Sequence, residues 1–236
     1  MRWKSVFAAT GLLATSLLVT APTAQAAGAS GAAEGSSAAA GRCSLIAPSR
    51  IVISAPYRAI TMRVAADCVA GNWDNAAWTS YHPTQGVQEV LYFFRTSTTV
   101  TMDLYDYADP GLWNWRPNGA YDTFSGAMSQ NSPNSYVKVG SWAGLTASRS
   151  GSKVTLNVSA ARYAVSLDKF VPYAGAVGQL QYKAPGATKW IALKSVKTTS
   201  TGKYTYAYTA SAARDYRVYF PETSVIWNAA SATIRK

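Results

Sequence analysis

Five aromatic residues in the first half of the chain could form a surface that binds sugars. Flat aromatic rings stack on pyranose faces when they are exposed on a strand or loop. Trp73 and Trp78 lie in a polar, Asn-containing stretch, and these two are therefore the strongest candidates for exposure. The alternative is packing in a core, because Trp is normally mostly buried. The five candidates for carbohydrate stacking are Trp73, Trp78, Tyr81, Trp113 and Trp115.

Basic residues are concentrated in the second half of the chain. Residues 151–236 contain twelve Lys and Arg against three acids, a net charge of +9, whereas residues 42–150 have a net charge of +1. Such a surface attracts polyanions over about a Debye length, ~8 Å at physiological salt. The alternative is that these cations lie on solvent-facing strand positions and keep a β-protein soluble. The candidates for anion binding are Lys194, Lys203, Arg214 and Arg217.

A group of acids invites a calcium interpretation. Calcium requires six to eight oxygen ligands, which loop carboxylates can supply. The spacing lacks the EF-hand glycine and terminal glutamate, and Asp103 falls inside an alternating strand. Surface acids at a strand end, paired with Arg95 or Arg116, are the alternative. The acids are Asp103, Asp106, Asp109 and Asp122.

The residue patterns argue against an enzyme. No Gly-x-Ser-x-Gly elbow, glycine-rich phosphate loop or metal cluster occurs in the sequence. A glycosidase needs two carboxylates facing a cleft. Glu89 could form such a pair with Asp103 or Asp122, but the spacing of these residues in the sequence does not support it. His82, the only histidine, is expected to be a hydrogen-bonding loop residue. We therefore predict no catalytic residues, no cofactor and no resident metal.

Cys43 and Cys68 are the only cysteines. In an exported chain an isolated pair is most simply a disulfide, which would contribute ~3 kcal/mol by restricting the unfolded chain. The alternative, a pair of metal ligands, would need partner His or Cys residues beyond His82.

The chain begins with the features of a signal peptide. Arg2 and Lys4 precede an apolar run that ends near Thr20, and Ala24-Gln25-Ala26 matches the small-x-small cleavage pattern. We predict a cleaved signal peptide over residues 1–26 and a disordered Ala/Gly/Ser-rich segment over 27–41. No later stretch reaches the ~20 apolar residues of a membrane span, so the mature chain is predicted to be secreted and without a transmembrane segment.

The remaining sequence reads as short strands separated by turns. Val154, Leu156 and Val158 alternate with polar residues, and no segment of helical length shows a period of 3.6. Ser148 to Ser152 is the best boundary. We predict an all-β fold of two tandem immunoglobulin-like antiparallel β-sandwich modules, the disulfide-containing one over 42–148 and a basic one over 149–236.

A resemblance supports this fold. Gly202-Lys203-Tyr204-Thr205-Tyr206 and Arg214-Asp215-Tyr216-Arg217, preceded by Trp190, resemble two strands of bacterial extracellular immunoglobulin-like modules common in secreted actinobacterial proteins. The match covers about 153–235 and implies a fold, not an activity. The first module resembles the partner module that precedes it in secreted proteins of that group.

These observations favour a secreted, non-catalytic binding or structural protein. Its expected partner is an anionic cell-wall polymer or polysaccharide held by the basic second module, with no specific recognition of nucleic acid. The alternatives are a carbohydrate-binding module that uses the first-module tryptophans, and an extracellular hydrolase.

Overall fold

The computed structural model describes residues 41–236 and is almost entirely β-strand. The predicted signal peptide and all but the last residue of the 27–41 segment lie outside the described residues. The strands are β1 (Arg42–Cys43), β2 (Leu45–Ile46), β3 (Arg50–Ile53), β4 (Tyr57–Val64), β5 (Trp73–His82), β6 (Gly86–Phe94), β7 (Thr99–Tyr105), β8 (Gly111–Asp122), β9 (Ser129–Gln130), β10 (Asn134–Val139), β11 (Ser141–Ser150), β12 (Lys153–Ala164), β13 (Lys169–Pro172), β14 (Val177–Lys183), β15 (Ile191–Lys197), β16 (Lys203–Thr209), β17 (Asp215–Phe220), β18 (Ala229–Ala230) and β19 (Ile234–Arg235).

Helix is confined to two short segments of the described chain. The five-residue helix α1 (Ala66–Ala70) follows β4, and a single 3₁₀ turn (Val165–Leu167) follows β12. Within residues 41–236 no helix is long and apolar enough to cross a membrane.

The first sandwich encloses the larger aromatic core. A five-stranded sheet in the order β3-β10-β8-β5-β6 faces a three-stranded sheet in the order β2-β4-β7. Trp78 and Trp115 from the first sheet meet Met62 and Met102 from the second, and all four are fully or almost fully buried. The predicted disulfide between Cys43 and Cys68 is confirmed, and it ties β1 to α1 at the edge of this core.

The second sandwich is smaller. The sheet β11-β12-β16 packs against the sheet β15-β14-β17. The short strand β13 also pairs with β12, and the short strands β18 and β19 pair with β17. Val154, Leu156 and Val158 are buried as their alternation predicts, and they face Leu180 and Val218 of the opposite sheet. The structure thus confirms an all-β fold with two hydrophobic cores.

Two details differ from the sequence predictions. The sheets are not purely antiparallel, because β3 pairs in parallel with β10 and β1 with β9. The stretch Ser148 to Ser152 is a hairpin turn between β11 and β12, with Gly151 at a φ of 55°, rather than a link between sandwiches. The second core begins before it, at Ala143. In the sequence this polar turn resembles a linker, because turns and linkers both lack an apolar face.

Trp227 joins the two sandwiches. It lies in the loop after β17, and its indole N–H donates to the carbonyl of Ile51 in β3 at 2.8 Å. The guanidinium of Arg50 lies 3.8 Å from the ring centroid and the ammonium of Lys138 lies 4.9 Å from it. The backbone N–H of Trp227 also donates to Val139. A residue of the second half therefore completes the edge of the first sandwich.

A second contact between the sandwiches is a pair of carboxyl groups. Asp106 accepts a hydrogen bond from the buried Tyr163 hydroxyl at 3.1 Å, and burial together with this bond raises the pKa of Tyr163 to about 12. The nearby Asp106 carboxyl, followed by partial desolvation, raises the pKa of Asp168.

The raised pKa predicts a pH dependence that Asp168→Asn removes. A protonated Asp168 stabilises the fold fully below its ordinary pKa of 3.8, and this contribution is lost as the pH rises through the higher folded-state value. Asn keeps a donor toward Asp106 and tolerates the left-handed backbone at residue 168, where φ is 50°. We expect the stability of the variant relative to the parent to increase from about pH 3 to about pH 7 in urea titrations. A difference that is constant with pH would contradict the carboxyl pair.

Candidate functional site

The tryptophans predicted to form a sugar-binding surface are buried. Trp73, Trp78, Trp113 and Trp115 are each at most 3% exposed. Trp78 and Trp113 donate indole hydrogen bonds to the carbonyls of Asn131 and Asp109, both at 3.0 Å. The sugar-stacking prediction is therefore wrong for these four rings. The fifth candidate, Tyr81, is half-buried beneath the guanidinium of Arg116 at 4.4 Å.

Strand irregularity buries both Trp73 and Trp78, although the polar stretch around them predicts exposure. Five residues apart, they would face opposite sides of a regular strand. The register shift between Trp73 and Asn75 places an extra residue in β5 and re-phases that strand, so both rings turn inward.

Trp142, which none of the sequence predictions includes, lies on the surface as a flat aromatic platform. It is 54% exposed on β11, whose neighbouring residues Ala143 and Leu145 point into the core. A Cβ atom on Gly144 would lie 2.4 Å from the indole Cη2 and 2.6 Å from the Ser159 Oγ. The benzo edge of the indole thus lies against the bare backbone of Gly144, and glycine is required for this close approach.

Polar side chains continue the platform along the same sheet. Strand register places Gly144 beside Ser159, and Ser159 beside Lys203 on β16. A shallow depression of about 320 Å³ lies over these strands, and an apolar one of about 240 Å³ adjoins Trp142, Ala161 and Phe170. The polar depression is lined by the side chains of Thr146, Asn157, Ser159, Lys203 and Thr205. We call Trp142, Gly144 and these five residues the Trp142 face.

The Trp142 face has the chemistry of a sugar-binding surface. Its hydroxyl and amide groups both donate and accept hydrogen bonds, as sugar hydroxyls do. The Thr205 hydroxyl donates to the amide oxygen of Asn157 at 3.0 Å, which fixes the orientation of that amide. Lys203 supplies one positive charge at the end of the row.

The four predicted anion-binding residues do not form one patch. Lys203 lies on the Trp142 face, whereas Arg217 lies on the outer side of the opposite sheet. There its Nε donates to Gln181 at 2.7 Å, and its guanidinium lies 4.4 Å from the Trp190 ring. The guanidinium of Arg214 lies 4.3 Å from the ring of Tyr182, and the ammonium of Lys194 lies 5.9 Å from that of Tyr206.

The acids considered for calcium have separate roles. Asp103 accepts from the Tyr57 hydroxyl at 2.8 Å, and Asp106 belongs to the carboxyl pair. The Asp122 carboxylate caps a turn by accepting the backbone N–H groups of residues 124 and 126. Across residues 41–236 no three potential ligands are grouped as a metal site, so the calcium interpretation lacks its geometry.

One acidic cleft contains two residues that we considered for glycosidase chemistry. Glu89 and Asp103 both line it, together with Asp109, whereas Asp122 does not. His82 lies elsewhere, at the hairpin between β5 and β6. Its ring packs against Gly111, where a Cβ would lie 2.4 Å from Nε2, and its Nδ1 hydrogen-bonds with Thr84.

Comparison with known proteins finds fold-level similarity only. No protein-family model matches the chain, and no curated protein matches it. Among solved structures, Salmonella alpha-2-macroglobulin reacted with methylamine aligns at 12% identity and a TM-score of 0.40, over 85% of this chain and 15% of that one. The chicken CNTN1 FN1–FN3 domains align at 10% identity and a TM-score of 0.33, over 83% of this chain and 64% of that one. The human OSCAR ligand-binding domain aligns at 9% identity and a TM-score of 0.26, over 82% of this chain and 96% of that one.

These matches are too distant to carry an argument about function. This chain spans about 15% of the length of the alpha-2-macroglobulin and about two thirds of the CNTN1 fragment. The class of the protein follows instead from its strand pairing, which defines two predominantly antiparallel β-sandwiches.

Proposed function

We propose that this protein is a secreted, non-catalytic glycan-binding protein that holds a polysaccharide on the Trp142 face. The observation that carries the proposal is the indole of Trp142, which lies against Gly144 with more than half of its surface exposed. Contiguous exposed apolar patches are associated with ligand binding, and Trp142 shares its apolar depression with the exposed Phe170. A flat, open ring of this kind matches the apolar face of a pyranose.

The polar row suits the rest of a sugar chain. Trp142 and Thr146 are four residues apart on one strand, a distance of about 13 Å, which accommodates more than one sugar ring. Hydroxyl and amide side chains at this spacing can bind sugar hydroxyls directly or through water. Lys203 favours a glycan that carries carboxylate, phosphate or sulfate groups.

Secretion is supported by the disulfide and by the signal-peptide pattern. A disulfide between buried cysteines is typical of proteins that fold in an oxidising compartment. The resemblance of the second sandwich to modules of secreted actinobacterial proteins agrees with this location, and a bacterial cell-wall polymer is then the accessible glycan.

Trp142→Ala is expected to weaken glycan binding at least about tenfold, equivalent to ~1.4 kcal/mol. The measurement is affinity electrophoresis against soluble cell-wall and plant polysaccharides. Trp190→Ala is the matched control, since Trp190 lies with Arg217 on the opposite sheet. Equal loss in both variants, or no loss with Trp142→Ala, would contradict the proposal.

A second candidate function is non-specific attraction to polyanions, which the +9 charge of residues 151–236 favours. Such binding depends on many charges and falls steeply with salt. Retention on heparin or cell walls that disappears at high salt, and that is unchanged by Trp142→Ala, would favour this candidate. Retention that withstands salt and requires Trp142 would favour the glycan site.

A further inference from the structure

The acidic cleft on the first sandwich lies between two sheet edges. It has a volume of about 580 Å³ and is lined by residues of β6 and β7, each the last strand of its sheet. An edge strand presents backbone N–H and C=O groups that no neighbouring strand pairs. The cleft is therefore open to a ligand from the side of the sandwich, away from the Trp142 face.

Two exposed tyrosines form one wall of this cleft. The rings of Tyr105 and Tyr107 are parallel within 7°, with centroids 5.3 Å apart, and the side chains are 41% and 75% exposed. The ring of Tyr57 lies 5.5 Å from that of Tyr105 at a tilt of 51°. Three adjacent tyrosines thus remain at the surface, whereas the tryptophans of this sandwich are buried.

The charge of the cleft is negative. Glu89, Asp103 and Asp109 line it, and its lining contains no Lys or Arg. The Tyr57 hydroxyl donates to the Asp103 carboxylate at 2.8 Å, which holds that carboxylate beside the rings. A negative charge next to the electron-rich faces of aromatic rings attracts an organic cation more strongly than either feature alone.

We propose that this cleft binds an organic ammonium group. The Tyr105 and Tyr107 rings would contact the alkyl groups around the nitrogen, and the carboxylates of Asp103, Asp109 and Glu89 would balance its charge. A bare metal ion fits less well, because the carboxylates are not grouped as metal ligands and aromatic rings supply no oxygen ligand apart from their hydroxyls. The site is independent of the Trp142 face and of the proposed glycan function.

The test uses choline and its uncharged carbon isostere, in which a carbon atom replaces the nitrogen. Binding to the full secreted chain is followed by NMR shifts of the tyrosine ring signals. We expect choline to shift the Tyr105 and Tyr107 signals with an affinity at least tenfold above that of the isostere. Raising the salt concentration should weaken choline binding and leave the isostere unchanged.

Two variants and two matched controls locate the site. Tyr107→Ala and Asp103→Asn should each weaken choline binding about tenfold or more. Tyr92→Ala and Asp74→Asn, at exposed positions outside the cleft, should leave it unchanged. Equal binding of choline and the isostere, no shifts at saturating choline, or full binding by a folded Tyr107→Ala variant would each overturn the proposal.

Discussion

Replacing Trp227 by alanine is expected to lower the free energy of unfolding by about 3–5 kcal/mol, the cost of removing a buried Trp. The ring is only 7% exposed, and it lies against Arg50 and Lys138 with its N–H bonded to Ile51. Alanine would leave a cavity at the junction of the two sandwiches and remove the indole hydrogen bond to Ile51, with Lys138 still largely buried beside it.

Urea unfolding of the parent, Trp227→Ala and Trp142→Ala measures this effect. Trp142 is exposed, and its replacement should change the free energy of unfolding by no more than about 0.5 kcal/mol. If the junction couples the sandwiches, Trp227→Ala should also separate one cooperative transition into two. A loss below about 1 kcal/mol would show that the contact does not hold the sandwiches together.

Trp78→Ala is the second change with a large expected effect, again about 3–5 kcal/mol. The ring is fully buried, packs edge-on against Phe93 with centroids 5.9 Å apart, and donates to the Asn131 carbonyl. Thermal and urea unfolding should both show the loss, while glycan affinity of the folded fraction stays at the parental value.

The Trp78 result separates two roles for the same residue. A sugar-stacking ring would lose affinity with little loss of stability, which is the pattern expected for Trp142→Ala. Trp78→Ala with parental stability and weakened glycan binding would restore the first sandwich as the sugar-binding module and contradict the buried core.

Alternation along single strands could be predicted from the sequence. The inward positions of Val154, Leu156 and Val158 follow from a period of two. The same rule applied to Trp142-Ala143-Gly144-Leu145 places Trp142 and Gly144 together on the outer side, so a signal for the platform was present. The residues around Trp142 include Ala143 and Leu145, and such apolar neighbours favour a prediction of burial.

Other features depend on relations that no local pattern carries. The register shift in β5 between Trp73 and Asn75 turns Trp73 and Trp78 to the same side, and nothing in the residue types marks that shift. Lys203 and Arg217 are close in sequence and share a charge, yet they lie on opposite sheets because each strand of a sandwich joins one layer or the other. Trp227 meets Ile51 across 176 residues, a pairing visible only in the folded chain.

The most direct measurement of the glycan account is an NMR titration of the indole N–H signals with soluble cell-wall oligosaccharides. Seven of the eight tryptophans in the sequence follow the predicted signal peptide, and each gives its own side-chain signal. The account predicts that the Trp142 signal shifts together with the backbone signals of Gly144 and Thr205, while those of Trp78, Trp115 and Trp190 stay in place. Saturable binding that shifts the signal of Trp190 or a first-sandwich tryptophan, and leaves that of Trp142 unmoved, would contradict it.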